Sequence, residues 1–489
     1  MRLAFLSCFL MLSIFVSFRD WYKGLCLAIP ILAVLERRDI PRGLFDIDGL
    51  NPYNILLVFI LIAFVLQKDS RAASFTINPN IKKLMALYFV LFLTAFIRLL
   101  LDREDLQNFY YAKNMAAPSL IDLTKDEFIN RIKWVIPAFL IVQGCNTPER
   151  IKLCLHSLLA TGVLIALQVI SRMLPTLIDG DDLGDRALRV LDQTIGYHRT
   201  DLSGVLAGFA WVSIALLSTA QSKLSKSGYL FAFAACTLAL FLTGSRAGYG
   251  AWVLCGTLLI IIRWRQLILL GPPLAFLVIL LVPGVLDRMT VGFSEETYSN
   301  QALKGDELGT VDEDGRDLYQ ITSGRIVLWE VVFKEIRAAP IFGHGILGFR
   351  SRAINLQLNE QKAGAAISNV GHSHSAYLDL LVDAGYFAFA IVFLFYALVL
   401  LQACKIFASK DSQPLQIAVS GSVIGLVVCQ LVAYTAQGTF WPHQIATFMY
   451  CSIAIFLSST ETLSNTSDSF SEHSNTESQP RPLWTQAKA

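Results

Sequence analysis

The sequence predicts an all-α polytopic membrane protein, and three observations support that prediction. Of the 489 residues, 54% are hydrophobic and only 16% are charged, whereas soluble domains carry about 25% charged residues. Apolar runs long enough to cross a bilayer as helices recur along most of the chain. The alternation of polar and apolar residues that marks the strands of a transmembrane β-barrel is not seen.

The apolar runs define about 12–13 transmembrane helices. The first run is interpreted as a retained span, because no small-residue cleavage site follows it. The predicted spans are 3–18, 21–35, 52–67, 84–101, 132–144, 150–172, 202–219, 228–243, 247–262, 266–286, 376–403, 414–436 and 440–458.

These spans divide the chain into four predicted parts. Residues 1–286 form the N-terminal part of a membrane helix bundle, and 287–374 form a long extracytoplasmic helical loop. Residues 375–458 add the C-terminal membrane helices. Residues 459–489 are rich in serine and threonine and predict a disordered cytoplasmic tail.

Lysine and arginine in the short loops set the predicted orientation. The loops near 223–226, 263–265 and 405–410 are basic and fall on one side, which the positive-inside rule makes cytoplasmic. The loops 173–201 and 287–374 then lie on the opposite, extracytoplasmic face, together with the short turn before Arg246.

Four polar sites are expected to share that face. They are His198–Arg199 in GYHRTDLSG, Arg246 in TGSRAGYG, Arg325 opening an amphipathic helix with Trp329, and His374 with His372. A single arginine at a helix end can snorkel to the interface. Three arginines on the face that positive charge usually avoids instead indicate an anion-binding site. Because guanidinium pairs bidentately with phosphate and stays charged, the cluster predicts a lipid-linked phosphate or diphosphate.

His374 is the candidate general base, since a histidine with an ordinary pKa of about 6.5 can accept a proton at neutral pH. The alternative is a two-histidine metal site with His372, for which no third ligand at a recognisable spacing follows. Asp379 and Asp383 follow in the next span, where a carboxylate either orients the histidine or is simply solvated or paired. His344, in PIFGHGILGF, is either a hydrogen-bonded turn residue or a substrate contact.

Composition argues against several other functions. The net charge of +2 gives no indication of nucleic-acid binding. The nine cysteines lie in or beside spans without a CxxC pair, which favours buried hydrophobic roles over a disulfide framework or a zinc site. The acidic segment 295–317 lacks the spacing of a calcium-binding loop and is expected to be solvated. We therefore predict neither a metal nor a cofactor.

The motifs resemble those of the O-antigen ligase and polymerase superfamily of bacterial envelope glycosyltransferases. The resemblance is carried by SGR, LW, AP and FGHGILGF between residues 323 and 349, followed by His374, Ser375 and, after nine further residues, Gly385. The ligase pattern ends with Gly, Thr or Tyr three positions later, where this chain has Ala388.

The resemblance implies a multi-pass protein of the bacterial inner membrane with its active site on the periplasmic face. The implied donor is a glycan on undecaprenyl diphosphate, and the implied acceptor is lipid A-core, a growing glycan or a protein side chain. Neither a nucleotide sugar nor a metal is implied. A small-anion transporter and a structural or assembly protein are the alternatives, although transporters usually bind at the bilayer midplane between repeated halves, and no repeat is visible here.

Residue chemistry and resemblance agree on the expected roles. Arg246 and Arg325 would stabilise the departing diphosphate and His374 would take the proton of the acceptor hydroxyl. The other residues expected to contact substrate are Arg199, His198, His344, Trp329 and His372.

Overall fold

The computed structural model describes most of the chain. The described residues are 2–37, 40, 43–44, 47–67, 78–112, 114–175, 183–271, 273, 276, 280–282, 284–290, 325–352 and 372–460. The predicted acidic segment 295–317 lies outside this set, and so does the predicted tail 459–489 apart from residues 459–460, which end the helix Ala446–Thr460.

The described part of the chain is almost entirely helical, which confirms the predicted all-α class. A two-residue hairpin interrupts it, in which β1 (Gly43–Leu44) pairs antiparallel with β2 (Ile47–Asp48). The helices are α1 (Arg2–Arg19), α2 (Trp21–Ala28), α3 (Pro52–Leu66), α4 (Pro79–Leu101), α5 (Arg103–Ala112), α6 (Leu120–Thr124), α7 (Asn130–Lys133), α8 (Ile136–Gly144), α9 (Pro148–Met173), α10 (Leu183–Thr194), α11 (Arg199–Leu216), α12 (Lys223–Leu242), α13 (Arg246–Ile262), α14 (Gly284–Thr290), α15 (Arg325–Ala338), α16 (Ala376–Ala408), α17 (Pro414–Ala433) and α18 (Ala446–Thr460).

Six of these helices are long and apolar enough to cross a membrane, namely α4, α9, α11, α12, α16 and α17. Shorter apolar helices accompany them at α1, α2, α3, α13 and α18. Each of these helices coincides with a predicted span, so the polytopic character is confirmed. The predicted span 132–144 is instead divided between α7 and α8, where Pro137 begins a new helical turn. The predicted span 266–286 lies partly outside the described residues.

A recurring local signal starts several of these helices. Proline occupies the first turn of α3, α4, α9 and α17, where its missing N–H would have no helical partner anyway. The preceding residue often caps the helix. Asn51 Oδ1 accepts the Asn54 N–H at 2.9 Å, and Thr147 Oγ1 accepts the Arg150 N–H at 3.3 Å. These signals set the observed starts, so α4 begins at Pro79 and α9 at Pro148, before the predicted spans 84–101 and 150–172.

Helix α11 packs against α17, α12, α13 and α9 in the bundle. Small residues allow it to approach α17 closely, because a Cβ at Gly208 would lie 2.8 Å from Leu426 Cδ2. A Cβ at Gly425 would likewise lie 3.2 Å from the Gly208 carbonyl oxygen. Such small-residue contacts are usual between membrane helices, and here they bring the ends of α11 and α17 together.

A cap layer, formed by α5, α15 and residues 339–352, covers one end of the bundle. It has its own small apolar core, separate from that of the bundle and shared with Val382 of α16. The members of this core are Phe109, Leu328, Val331, Val332, Ile336, Phe349 and Val382. The cap layer therefore packs directly on the first part of α16.

Helix α16 is sharply bent at Gly385, the glycine of the family-like motif. Its φ of 73° and ψ of −174° belong to a region of backbone space that is essentially restricted to glycine. A Cβ there would also overlap the carbonyl group of Ile341 in the cap layer. Three backbone hydrogen bonds join the bend to the cap layer, from His344 N to Val382 O at 2.7 Å, from Gly345 N to Asp383 O at 2.8 Å and from Tyr386 N to Pro340 O at 2.8 Å. The bend thus anchors the cap layer to α16.

Candidate active site

The four predicted polar sites meet at the end of the bundle that carries the cap layer. His198 caps α11 and lies within electrostatic range of Arg199, Arg325 and His374. Arg246, the first residue of α13, lies within range of Arg325, the first described residue of α15. Segments far apart in sequence, which were expected to share one face of the membrane, are therefore neighbours in the structure.

Arg288 of α14 is a fourth arginine in this cluster, and the motifs did not reveal it. Its Nε donates to the carbonyl oxygen of Gly244 at 3.3 Å, and it lies within electrostatic range of Arg246. A Cβ at Gly184 would lie 2.7 Å from Arg288 Nε and would overlap Nη1 of Arg199. Gly184 therefore leaves the space in which the two guanidinium groups lie side by side.

The arginines occupy helix ends that already carry positive charge. Arg199 and Arg246 are the first residues of α11 and α13, where the unpaired N–H groups of a helix concentrate about half an elementary charge. Burial and the neighbouring Arg246 both lower the pKa of Arg325, which is the direction expected for like charges held together. Such an arrangement is an anion-binding environment.

His374 lies in a short turn, 372–375, directly before α16. Its backbone has a left-handed φ of 57°, which is uncommon outside glycine and worth explaining. Its Nδ1 lies 3.2 Å from Oε1 of Gln437, and its backbone N–H donates to Nδ1 of His372 at 3.2 Å. The two imidazole rings have centroids 4.2 Å apart. The turn thus fixes the direction of both side chains.

Two contacts hold this turn in place. The Asp379 carboxylate accepts the Ser373 N–H at 2.9 Å, and Trp329 Nε1 donates to the Ser373 carbonyl at 3.2 Å. Asp379 therefore orients the backbone of the turn, whereas the imidazole of His374 contacts Gln437. Because Trp329 lies one helical turn after Arg325 on α15, the same helix positions the arginine and the histidine turn.

The histidines of the site are shifted toward their neutral forms. Burial lowers the pKa of His198 and of His372 to about 4, and neighbouring cationic groups add to the effect. Burial also lowers the pKa of His374; the Gln437 hydrogen bond opposes this and Arg325 reinforces it. A neutral imidazole is the form that accepts a proton, so the environment favours the base form of His374.

His344 lies in a different environment, inside the cap layer. It is only 6% exposed. Its Nε2 lies 3.2 Å from the Glu335 carbonyl oxygen, and its Nδ1 accepts from Arg352 Nε at 3.3 Å. These contacts match the hydrogen-bonded turn residue considered in the sequence analysis, and neither partner belongs to the arginine cluster. Asp383, the second acid of α16, accepts from Trp441 Nε1 at 2.8 Å and supports the bend.

Gln437 and Arg350 are two further residues of the site that no sequence motif identified. Gln437 lies just beyond α17, which ends at Ala433, and the signal for it was its place directly after the predicted span 414–436 on the expected extracytoplasmic face. Arg350 Nη1 donates to the Tyr110 hydroxyl at 3.2 Å and lies within electrostatic range of His372. The sequence signal for Arg288 as a site residue was likewise its position, close after the end of the predicted span 266–286.

Fold and site together define a multi-pass, all-helical membrane protein with an arginine- and histidine-rich site at one end of its bundle. A family model described as O-antigen ligase, Wzy_C, matches residues 231–393, a region that includes Arg246, Arg325 and His374. The match confirms the resemblance to the O-antigen ligase and polymerase superfamily. It supports a ligase- or polymerase-like function in general. No curated protein matches the chain.

Proposed function

We propose that the protein is a membrane glycosyltransferase that moves a glycan from undecaprenyl diphosphate to an acceptor hydroxyl. The reaction would take place at the periplasmic face of the bacterial inner membrane. One observation carries the proposal: Arg199, Arg246 and Arg325 come together beside His374, although they lie on different helices. The family match over residues 231–393 supports the same class of reaction.

The arginine cluster is the proposed site for the diphosphate. Guanidinium groups bind phosphate oxygens in pairs and remain charged at any physiological pH. The N-termini of α11 and α13 add N–H groups and positive partial charge at the same place. Because these groups are already gathered, charge that develops on the leaving diphosphate would be stabilised without further reorganisation.

The proposed chemistry is a displacement at the anomeric carbon. The acceptor oxygen forms a bond to that carbon, while the bond from the carbon to the diphosphate oxygen breaks and its electron pair remains on the diphosphate. The proton of the acceptor hydroxyl passes to the His374 imidazole and is later released to solvent. A neutral His374, which its lowered pKa favours, is the reactive form.

The cap layer is proposed to align the two substrates. Trp329 joins α15 to the turn of His374, so the cation that would hold the donor and the base that would activate the acceptor share one support. Such alignment contributes greatly to reactions between two bound molecules. Outside this support, Ala388 departs from the ligase pattern but is only 1% exposed within α16.

Proteoliposomes containing the purified protein, a polyprenyl-diphosphate-linked glycan and candidate acceptors test the proposal. We expect transfer by the wild-type protein and its loss in His374→Ala. The matched control is Arg263→Gln at the other end of the bundle, which should retain transfer. Full transfer by His374→Ala would overturn the role of the base. Absence of wild-type transfer with every acceptor, together with anion flux across the vesicles, would instead support the transporter.

A further inference from the structure

We propose that Gln437 is a positioning residue that fixes which nitrogen of His374 carries the proton, an inference that rests on the proposed function. A neutral imidazole has one N–H donor and one acceptor nitrogen, and its surroundings decide between the two forms. Oε1 of Gln437 lies 3.2 Å from Nδ1 of His374. Because a carbonyl oxygen only accepts, this contact places the proton on Nδ1 and leaves Nε2 as the basic nitrogen.

The second nitrogen is open in the part of the chain that the structure describes. Nε2 of His374 makes no hydrogen bond to any described residue, whereas Nδ1 is bonded to Gln437. The backbone N–H of His374 is bonded to Nδ1 of His372. The ring is therefore held from one side, and the nitrogen on its other side is the one available to a hydroxyl.

The backbone of Gln437 is itself held in place. Its N–H donates to the Ala433 carbonyl at 3.1 Å, which continues the last turn of α17. The Tyr434 carbonyl accepts the Ala376 N–H at 2.9 Å, so the end of α17 is bonded to the start of α16. Gly438 follows with a φ of 104°, and the chain turns away there. Gln437 is thus fixed relative to His374 by two helices.

An amide suits this position better than the carboxylate that often partners a histidine. Among the described residues, the charged or titratable groups around His374 are His198 at the N-cap of α11, Arg325 of α15, His372 of its own turn and Asp379, whose carboxylate accepts the neighbouring Ser373 N–H. A carboxylate here would stabilise the protonated imidazole and compete with a diphosphate for the arginines. The amide of Gln437 orients the His374 ring without favouring its protonated form. It also does not compete with the diphosphate of the donor for the arginines.

Transfer assays with two variants test this inference. Gln437→Leu removes the acceptor, so we expect kcat to fall about tenfold to a hundredfold, the range found when the hydrogen-bond partner that orients a metal-ligating histidine is removed. Donor KM should stay near the wild-type value. Gln437→Glu keeps an acceptor and adds charge, so it should retain transfer with the acidic limb of kcat moved at least about one pH unit upward. Thr435→Val, whose hydroxyl bonds only its own helix turn, is the matched control.

The result that would overturn the inference is a Gln437→Leu enzyme with wild-type kcat and pH profile. Loss of all transfer in a folded Gln437→Glu enzyme that still binds the diphosphate donor would also overturn it, since competition for the arginines is then excluded and the amide must donate to Nδ1. Nitrogen-15 spectra of histidine-labelled protein, assigned with His374→Asn, give a readout without activity. A protonated Nδ1 in a protein that transfers no glycan would refute the proposed function while supporting the tautomer, and a protonated Nε2 would refute the tautomer alone.

Discussion

Arginine side chains lie at helix ends of opposite polarity at the two ends of the bundle. At the end away from the cap layer, Arg263 follows α13 and donates to the carbonyls of Phe407 and Ser409, both at 2.8 Å. These carbonyls end α16, where the helix carries negative partial charge. At the cap-layer end, Arg199 and Arg246 instead begin their helices, where the partial charge is positive.

The two settings differ in their contribution to stability. A cation at a helix C-terminus contributes about 0.3–1 kcal/mol, and a cation at an N-terminus is unfavourable by a similar mechanism. Arginines at helix N-termini and beside one another therefore face repulsion between positive charges. The binding of an anion would offset that repulsion. Functional sites commonly keep such locally unfavourable arrangements, because the binding of substrate offsets them.

The largest expected effect comes from neutralising arginines at the cap-layer end. Arg246→Gln and Arg325→Gln should each lower glycan transfer about 10²–10³-fold, the range found when one preorganised donor to a developing anion is removed. Arg263→Gln should lose little activity and show a lower melting temperature, because its hydrogen bonds close a helix end. Initial rates over a range of donor concentrations measure the first effect, and thermal unfolding in detergent measures the second.

Inorganic diphosphate sharpens this comparison without any acceptor. We expect it to raise the melting temperature of the wild-type protein and of Arg263→Gln, since a ligand that binds the folded state stabilises it. The increase should shrink in Arg246→Gln. Equal increases in all three proteins would remove the assignment of the cluster to diphosphate.

Gly385→Ala should give the next largest effect, on stability. The glycine-only backbone region of Gly385 costs a residue with a Cβ roughly 1–3 kcal/mol, and overlap with the Ile341 carbonyl adds to it. We expect a lower melting temperature together with loss of transfer, because the cap layer would detach from α16. Gly250→Ala in α13 is the control, since a Cβ there meets nothing within 4 Å; wild-type stability in both variants would contradict the anchoring role of the bend.

The pH dependence of stability should also arise at the cap-layer end. His198 and His372 have folded pKa values of about 4, whereas an unfolded histidine titrates near about 6.5. Between these values the unfolded chain binds more protons, so the stability contribution is complete above about pH 6.5 and declines as the pH falls toward 4.

His198→Asn and His372→Asn test this dependence, because asparagine keeps a hydrogen-bond acceptor and does not titrate. Melting temperatures measured between pH 7 and pH 5 should fall less steeply in these variants than in the wild type. Arg263→Gln should keep the wild-type slope. A wild-type slope in the double asparagine variant would contradict the assignment.

The smallest expected effect is that of Trp329→Phe. The variant keeps an aromatic ring and loses one hydrogen bond to the Ser373 carbonyl, typically worth about 0.5–1.5 kcal/mol. Transfer should therefore fall by no more than about tenfold, with the donor KM unchanged. A fall as large as that of Arg325→Gln would indicate that the ring touches substrate directly.

The sequence predicted most of the membrane helices and the placement of three arginines on one face. Hydropathy located the spans, and counting basic loops placed Arg199, Arg246 and Arg325 on one face. For Gln437 and Arg288 the sequence offered only their positions beside predicted span ends, because neither belongs to a motif and each contacts a partner far away in the chain. The motif identified Gly385 as a position, but its reason is the contact with Ile341, which exists only once the cap layer folds onto α16.

The bend in α16 has a mechanical consequence. Hydrogen bonds on both sides of Gly385 join α16 to the cap layer, through Val382 and Asp383 before the bend and through Tyr386 after it. A displacement of the first turns of α16 would therefore carry the cap layer, including α15, with it. We expect Arg325 and His374 to move together and to keep their separation.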